Sequence, residues 1–287
     1  MGANDGQIVG LSLLLGDGNV GKRFNIVVVA EGYRSEELPN FASDADAVLA
    51  KLTTSPPFAS SIGALNVFRL DVASKMSGAD QGTNLVDTYF DASFDASMPR
   101  LLLVDEKLVE STVSAAITTS SGAAAPNHKI IVLVNTPQDG GSGGTTNGIA
   151  VCASGPSSDG DVYERTVLHE LGHTFGMADE YPNETASLFV FKKKSGATTT
   201  TDIMPNLSRT YVKDSLPQPW QSLVNTTVLP TVRAAGAPPL PEDTVGAFPV
   251  DDTGYYVPQW KCTMQDSRDA YCVVCATCIG SQIATFK

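Results

Sequence analysis

Histidine is scarce: 3 in 287 residues. Positive charge is the other shortage. Lys and Arg total 19 against 31 Asp and Glu, a net charge of −12, which argues against nucleic acid as a partner. The acidity does not mark calcium sites, because no EF-hand spacing occurs. No apolar run is long enough to span a bilayer, so no membrane association is expected. The opening "MGANDGQ" lacks the basic region and apolar core of a signal peptide. It reads as an added start on a trimmed chain, and an extracellular or cell-surface protein remains the expectation. A phosphate loop is missing too. Gly16 to Lys22 mimics one, but Arg23 stands where a Ser or Thr must hold magnesium, and no helical pattern follows. No internal repeat is visible. What is abundant is apolar: 42% of the residues, enough for one large domain or two small lobes with a proper core.

Two of the three histidines share one stretch, "TVLHELGHTFGMADEY", residues 166 to 181. Residues four apart lie on one face of an α-helix. His169 and His173 can therefore aim two imidazoles at one point, with Glu170 beside the first. Two nitrogen ligands and a carboxylate held off the metal suit a zinc ion that activates water, with Glu170 as base. The letters before them, "DVYERTVLHELGH", hold no Gly or Pro until Gly172. Val162, Leu168 and Leu171, then Phe175 and Met177, give a buried side. Gly176 can take a left-handed conformation and end the helix. The chain then turns back, and Asp179, six beyond His173, can reach the metal. A third histidine holds that place in the long zinc-peptidase signature; a carboxylate oxygen is also an acceptable ligand. Glu180, one residue on, is the open alternative. An HExxH string can arise by chance on an amphipathic helix, but here a glycine and two acids follow at the right offsets.

The rest of the chain reads as an α/β fold: a mixed twisted sheet, the active-site helix, and an irregular C-terminal part. "QIVGLSLLL" and "FNIVVVAEGY" are strands, and Asp17-Gly18 between them suggests a hairpin. Residues 35 to 52 look helical, with Ser35 as a possible cap and Pro39 confining the regular part. "NVFRLDVAS" and "PRLLLVD" read as strands, "EKLVESTVSAAITT" as a helix, and "HKIIVLVNT" as a central strand. His128, at its start, reads as a solvated strand-end residue rather than a ligand. Glycines 140 to 144 suggest a mobile loop. "GIAVCAS" reads as a strand that either offers free backbone groups to an extended peptide or is an ordinary edge. "TVRAAGAPPLPEDTVG" reads as an exposed loop.

Four of the five cysteines, Cys262, Cys272, Cys275 and Cys278, crowd near the C-terminus, and Cys152 stands apart. Disulfide pinning of this segment, Cys262 with one of the later three, is the favoured reading. A structural zinc or iron–sulfur site is the rival. Met204 and Met264 are candidates for a methionine beneath the metal, and length favours Met264; a core role is the ordinary alternative for either.

Several blocks resemble the bacterial IgA-peptidase family of zinc metallopeptidases. They are "FNIVVVAEGY" with its acidic helix, "PPFASSIGALNVFRLDVASKMSGAD", "HKIIVLVNT" with its glycine loop, "HELGHTFGMADEY" and "CTMQDSRDAYCVVC". They run from about residue 24 to 278. The resemblance implies a metzincin-like α/β peptidase domain over 1–287. Its N-terminal lobe, 1–180, carries the sheet and active-site helix; its C-terminal lobe, 181–287, carries the methionine turn and cysteine cluster. It implies His169, His173 and Asp179 as ligands of Zn2+, Glu170 as catalytic base and Met264 as the floor. The expected function is a zinc metalloendopeptidase, monomeric, acting on a protein or peptide. Two other classes compete: a secreted binding or adhesion module on a peptidase scaffold, against which the intact Glu170 argues, and a zinc amide hydrolase acting on cell-wall material. The substrate is not fixed by kinship, since relatives need not share a target.

Overall fold

The computed structural model describes residues 5–124, 128–144, 147–155, 163–181, 204–232, 240–250 and 253–286. In chain order the first elements are β1 (Gly6–Leu15), β2 (Phe24–Glu31), α1 (Leu38–Thr54), β3 (Leu65–Ser74), β4 (Ser93–Phe94), β5 (Leu102–Leu103) and α2 (Glu106–Ser121). Then come β6 (His128–Val134), β7 (Gly141–Gly143), β8 (Ile149–Ala153), α3 (Tyr163–Thr174), β9 (Phe248–Val250), β10 (Tyr255–Val257) and the C-terminal helix α4 (Val273–Ala284). Two compact units result, residues 1–174 with 283–287, and residues 175–282.

All eight residues of β2 are buried, so this strand needs cover on both faces and neighbours on both edges. It lies between β3 and β6, parallel to both, in a six-stranded mixed sheet of order β1-β3-β2-β6-β8-β7. The hairpin expected of β1 and β2 does not form. β1 is half-exposed and pairs antiparallel with β3 at the sheet's edge, which leaves the central place to the more apolar β2. The turn that mimics a phosphate loop is a structural connection. Gly18 N–H donates to Asn66 Oδ1 (3.1 Å), and Asn66 Nδ2 donates to the buried Asn25 Oδ1 (3.0 Å).

Phe41, Ala45, Val48 and Leu52 form the buried stripe of α1. Ser35 does not cap this region; it opens a short 3-10 turn, where Glu37 accepts from Arg34 N–H (2.8 Å). Asp105 caps α2 by accepting from Lys107 and Leu108 N–H, and Gly122 closes the helix in the left-handed region (φ 72°). Burying each large aliphatic side chain contributes about 1.5–3 kcal/mol. "PRLLLVD" gives only the two-residue β5, paired with β4.

Two corrections bear on the site. The glycine run is not simply a loop, since Gly141–Gly143 is the outer strand β7, antiparallel to β8. β8 therefore has no free edge, because β6 takes its other side in parallel. Even β7 is partly covered, as Gly141 N–H donates to Arg100 O (3.0 Å) and Ser142 Oγ to Leu102 O (2.6 Å).

In the unit 175–282, Ala178, Met204, Leu207, Phe248, Val250 and Val257 make a core cluster. Trp220 is fully buried and donates Nε1–H to Gly246 O (2.7 Å). Of the loop expected at 231–246, residues 233–239 lie outside the described residues; its flanks Thr231, Thr244 and Val245 are buried, so it is anchored at both ends. Val162 also lies outside the described residues. Among the described residues, no helix is long and apolar enough to cross a membrane.

Candidate metal centre

Helix α3 buries Val167, Leu168 and Leu171, and that face fixes which way the opposite side points. His169 and His173 stand one turn apart, ring centroids 4.9 Å apart and planes at 86°. Past Thr174 the chain leaves the helix at Gly176, whose φ of 93° is costly for any side-chain-bearing residue. Phe175, Met177 and Ala178 are buried. The chain so turned brings Asp179 to the histidines. One ligand atom from each of His169, His173 and Asp179 lies within 4.8 Å of the others. His173 and Asp179 are buried and His169 is half-buried.

The turn is tied down on both sides of Asp179. Asn206, wholly buried, accepts from Ala178 N–H (2.9 Å) and donates to Ala178 O (2.8 Å). Glu180 N–H donates to Met264 O (2.8 Å). Asn206 carries no signal in the sequence, because its partner is a backbone group 28 positions away.

Glu180 belongs to a different group. Its carboxylate lies with Cys262, Cys272 and Cys275, ligand atoms again within 4.8 Å of one another. Burial pushes the Glu180 carboxyl well above the usual range. All five cysteines are free thiols. The expected disulfide does not form: Cys262 Sγ and Cys275 Sγ are 3.7 Å apart, against about 2.05 Å for a bond. Met204 is a core residue. Met264, wholly buried, touches the turn through its carbonyl. His128 is not solvated; its Nε2 lies 3.2 Å from Glu110.

The glycine strand explains how the helix can sit where it does. A Cβ on Gly141 would fall 2.9 Å from Glu170 Oε1, and one on Gly143 would fall 2.3 Å from Glu170 O and 2.8 Å from His173 Cβ. At Gly143, where the clash is with backbone, only glycine permits that approach. At the far end of α3, Lys129 Nζ donates to Thr174 O (2.6 Å), a cation on the negative end of the helix dipole. Burial lowers the pKa of Lys129.

Comparison with known proteins adds kinship to this geometry. The family model of IgA Peptidase M64 matches residues 13–235, a span that holds α3, Asp179 and Glu180 but ends before the four C-terminal cysteines. A search of curated proteins gives no match. Since the family match covers well over half of the chain, this protein belongs to the IgA Peptidase M64 family of metallopeptidases.

Proposed function

We propose that this protein is a zinc-dependent metalloendopeptidase, with His169, His173 and Asp179 as the metal ligands and Glu170 as the general base. The observation that carries this reading is the convergence of those three ligand atoms within 4.8 Å, on a helix that also bears Glu170. The donor set fits the ion. A tetrahedral zinc with ligands near 2.1 Å needs donor atoms about 3.4 Å apart, two imidazole nitrogens and a carboxylate oxygen make an accepted trio, and three protein ligands leave a position open.

A zinc ion held there supplies Lewis acidity, polarising a carbonyl and acidifying water. Glu170 takes the proton from the attacking water and returns it to the leaving amine. The tie of Asn206 to Ala178 and of Met264 to Glu180 keeps Asp179 aimed. The substrate is a protein or peptide rather than nucleic acid, given the charge of −12. An extracellular or cell-surface setting and a monomeric state complete the proposal. An immunoglobulin target is one candidate among proteins.

The test is a proteome-derived peptide library incubated with the protein, cleavage sites being read by mass spectrometry with and without chelator. Cleavage that vanishes with chelator and returns with zinc is expected. Glu170→Gln should keep its zinc and lose at least about 10²-fold in kcat. Wild-type turnover by that variant eliminates Glu170 as the base. Cleavage of peptidoglycan but not of peptides supports the amide-hydrolase reading instead, and metal without cleavage of either supports a binding module.

A further inference from the structure

The second donor group lies within the unit 175–282 and does not depend on the peptidase reading. Glu180, Cys262, Cys272 and Cys275 are all buried, with at most 4% of any of them exposed. A carboxyl and three thiols share one closed space, four potential metal donors, and burying such polar groups without full hydrogen bonding costs free energy. The hydrogen bonds made to Glu180 come from an amide, Asn206 Nδ2 (2.9 Å), and a thiol, Cys275 Sγ (3.5 Å). Its other oxygen, Oε2, is buried with no hydrogen-bond partner.

The spacings suit an ion. A tetrahedral zinc with Zn–S near 2.3 Å holds its sulfurs about 3.8 Å apart, and with Zn–O near 2.0 Å its sulfur and oxygen about 3.5 Å apart. Cys262 Sγ and Cys275 Sγ are 3.7 Å apart, and Cys275 Sγ is 3.5 Å from Glu180 Oε1. Backbone amides already point at the sulfurs. Cys272 N–H donates to Cys262 Sγ (3.3 Å) and Cys275 N–H to Cys272 Sγ (3.5 Å), which favours the thiolate form that binds metal. Cys272 directly precedes α4, so the positive end of that helix adds to the effect. Asn206 and the Glu180–Met264 backbone bond orient the carboxylate, the role that outer partners play around metal ligands.

We infer that Glu180, Cys262, Cys272 and Cys275 form a closed structural zinc site. Soft thiolates select zinc over hard cations, and four protein ligands leave no position for water, so this ion fixes structure rather than performing chemistry. On binding, the three thiol protons pass to solvent. Cys278 stands outside the donor group.

The experiment is a titration of the full-length protein, grown with zinc, by an organic mercurial, with released metal read by a chromophoric chelator. One zinc per chain should leave as three buried thiols are taken. The same release should occur from His173→Ala, which isolates this ion from the proposed peptidase ion. Glu180→Gln should lose it more readily, at a lower chelator concentration. Cobalt in place of zinc should give thiolate-to-metal charge transfer in the near ultraviolet. Thiols that react without releasing metal from either protein overturn the inference, as does a non-reduced mass showing a disulfide among these cysteines.

Discussion

Asp179 and Glu180 are chain neighbours that join different groups, one with the histidines and one with the cysteines. Their substitutions should therefore separate. Asp179→Ala should raise the zinc concentration that restores half of the peptidase activity to metal-free protein by at least about tenfold. Glu180→Gln should leave that concentration unchanged. The reverse pattern would exchange the two proposed roles. Gly143 offers a second test. Gly143→Ala puts a methyl 2.3 Å from Glu170 O, relief of that clash needs a shift of about 1 Å, and such a shift near a reacting centre lowers kcat/KM by about 10²-fold. Gly144→Ala meets nothing within 4 Å and should be silent. Two equally damaged variants would show that the loop, not the contact, matters. The approach of His169, His173 and Asp179 was legible in the letters because one helical turn and one left-handed glycine dictate it. The fate of Glu180 was not, because its partners Cys262, Cys272 and Cys275 lie far along the chain and only the fold delivers them. Asn206 was invisible for the same reason.

At the level of elements, local pattern reached the identity of the major strands and helices but not the pairing. β2 and β6 announce themselves as apolar runs, and both occupy the interior of the sheet. An Asp-Gly turn between β1 and β2 argued for a hairpin, yet β3 separates them, because a strand buried at every position gains more from two parallel neighbours than from a tight turn. The glycine run misled in the other direction: it resembled slack, while its lack of side chains lets β7 press against α3. β2 also ends in a device of its own. Glu31, wholly buried, accepts from Phe90 N–H and Ala92 N–H, 3.0 Å each, and holds the segment that leads to β4. Burial raises its pKa from the ordinary 4.5. A carboxyl with a raised folded pKa binds its proton more readily when folded, so its contribution is complete below 4.5 and is lost as pH rises. The stability of wild type relative to Glu31→Gln should accordingly fall as pH rises above that value, measured by urea unfolding at a series of pH values. A difference that stays flat would mean the carboxyl titrates normally.

On the scale of the whole molecule, each unit has its own means of support. The first rests on a six-stranded sheet with strongly apolar central strands. The second has short strands, a helical turn at Trp220–Leu223, most of α4 and a small apolar cluster, a composition for which an internal ion is a natural brace. Exhaustive chelation should therefore act unevenly. Hydrogen exchange should rise through Cys262–Cys278, while the amides of β2 and β6 stay protected. A binding contribution of about 2.7 kcal/mol at a hundredfold excess over Kd would be lost from the second unit. Uniform loss of protection would contradict that division of labour. The tandem acids carry one more implication. A connecting segment ordinarily accepts insertions and deletions as readily as exchanges, but removing a residue between Gly176 and Asp179 would put Glu180 in the place of Asp179, and adding one would put Asp179 in the place of Glu180. This stretch is fixed in length as firmly as it is at its glycine and its two acids.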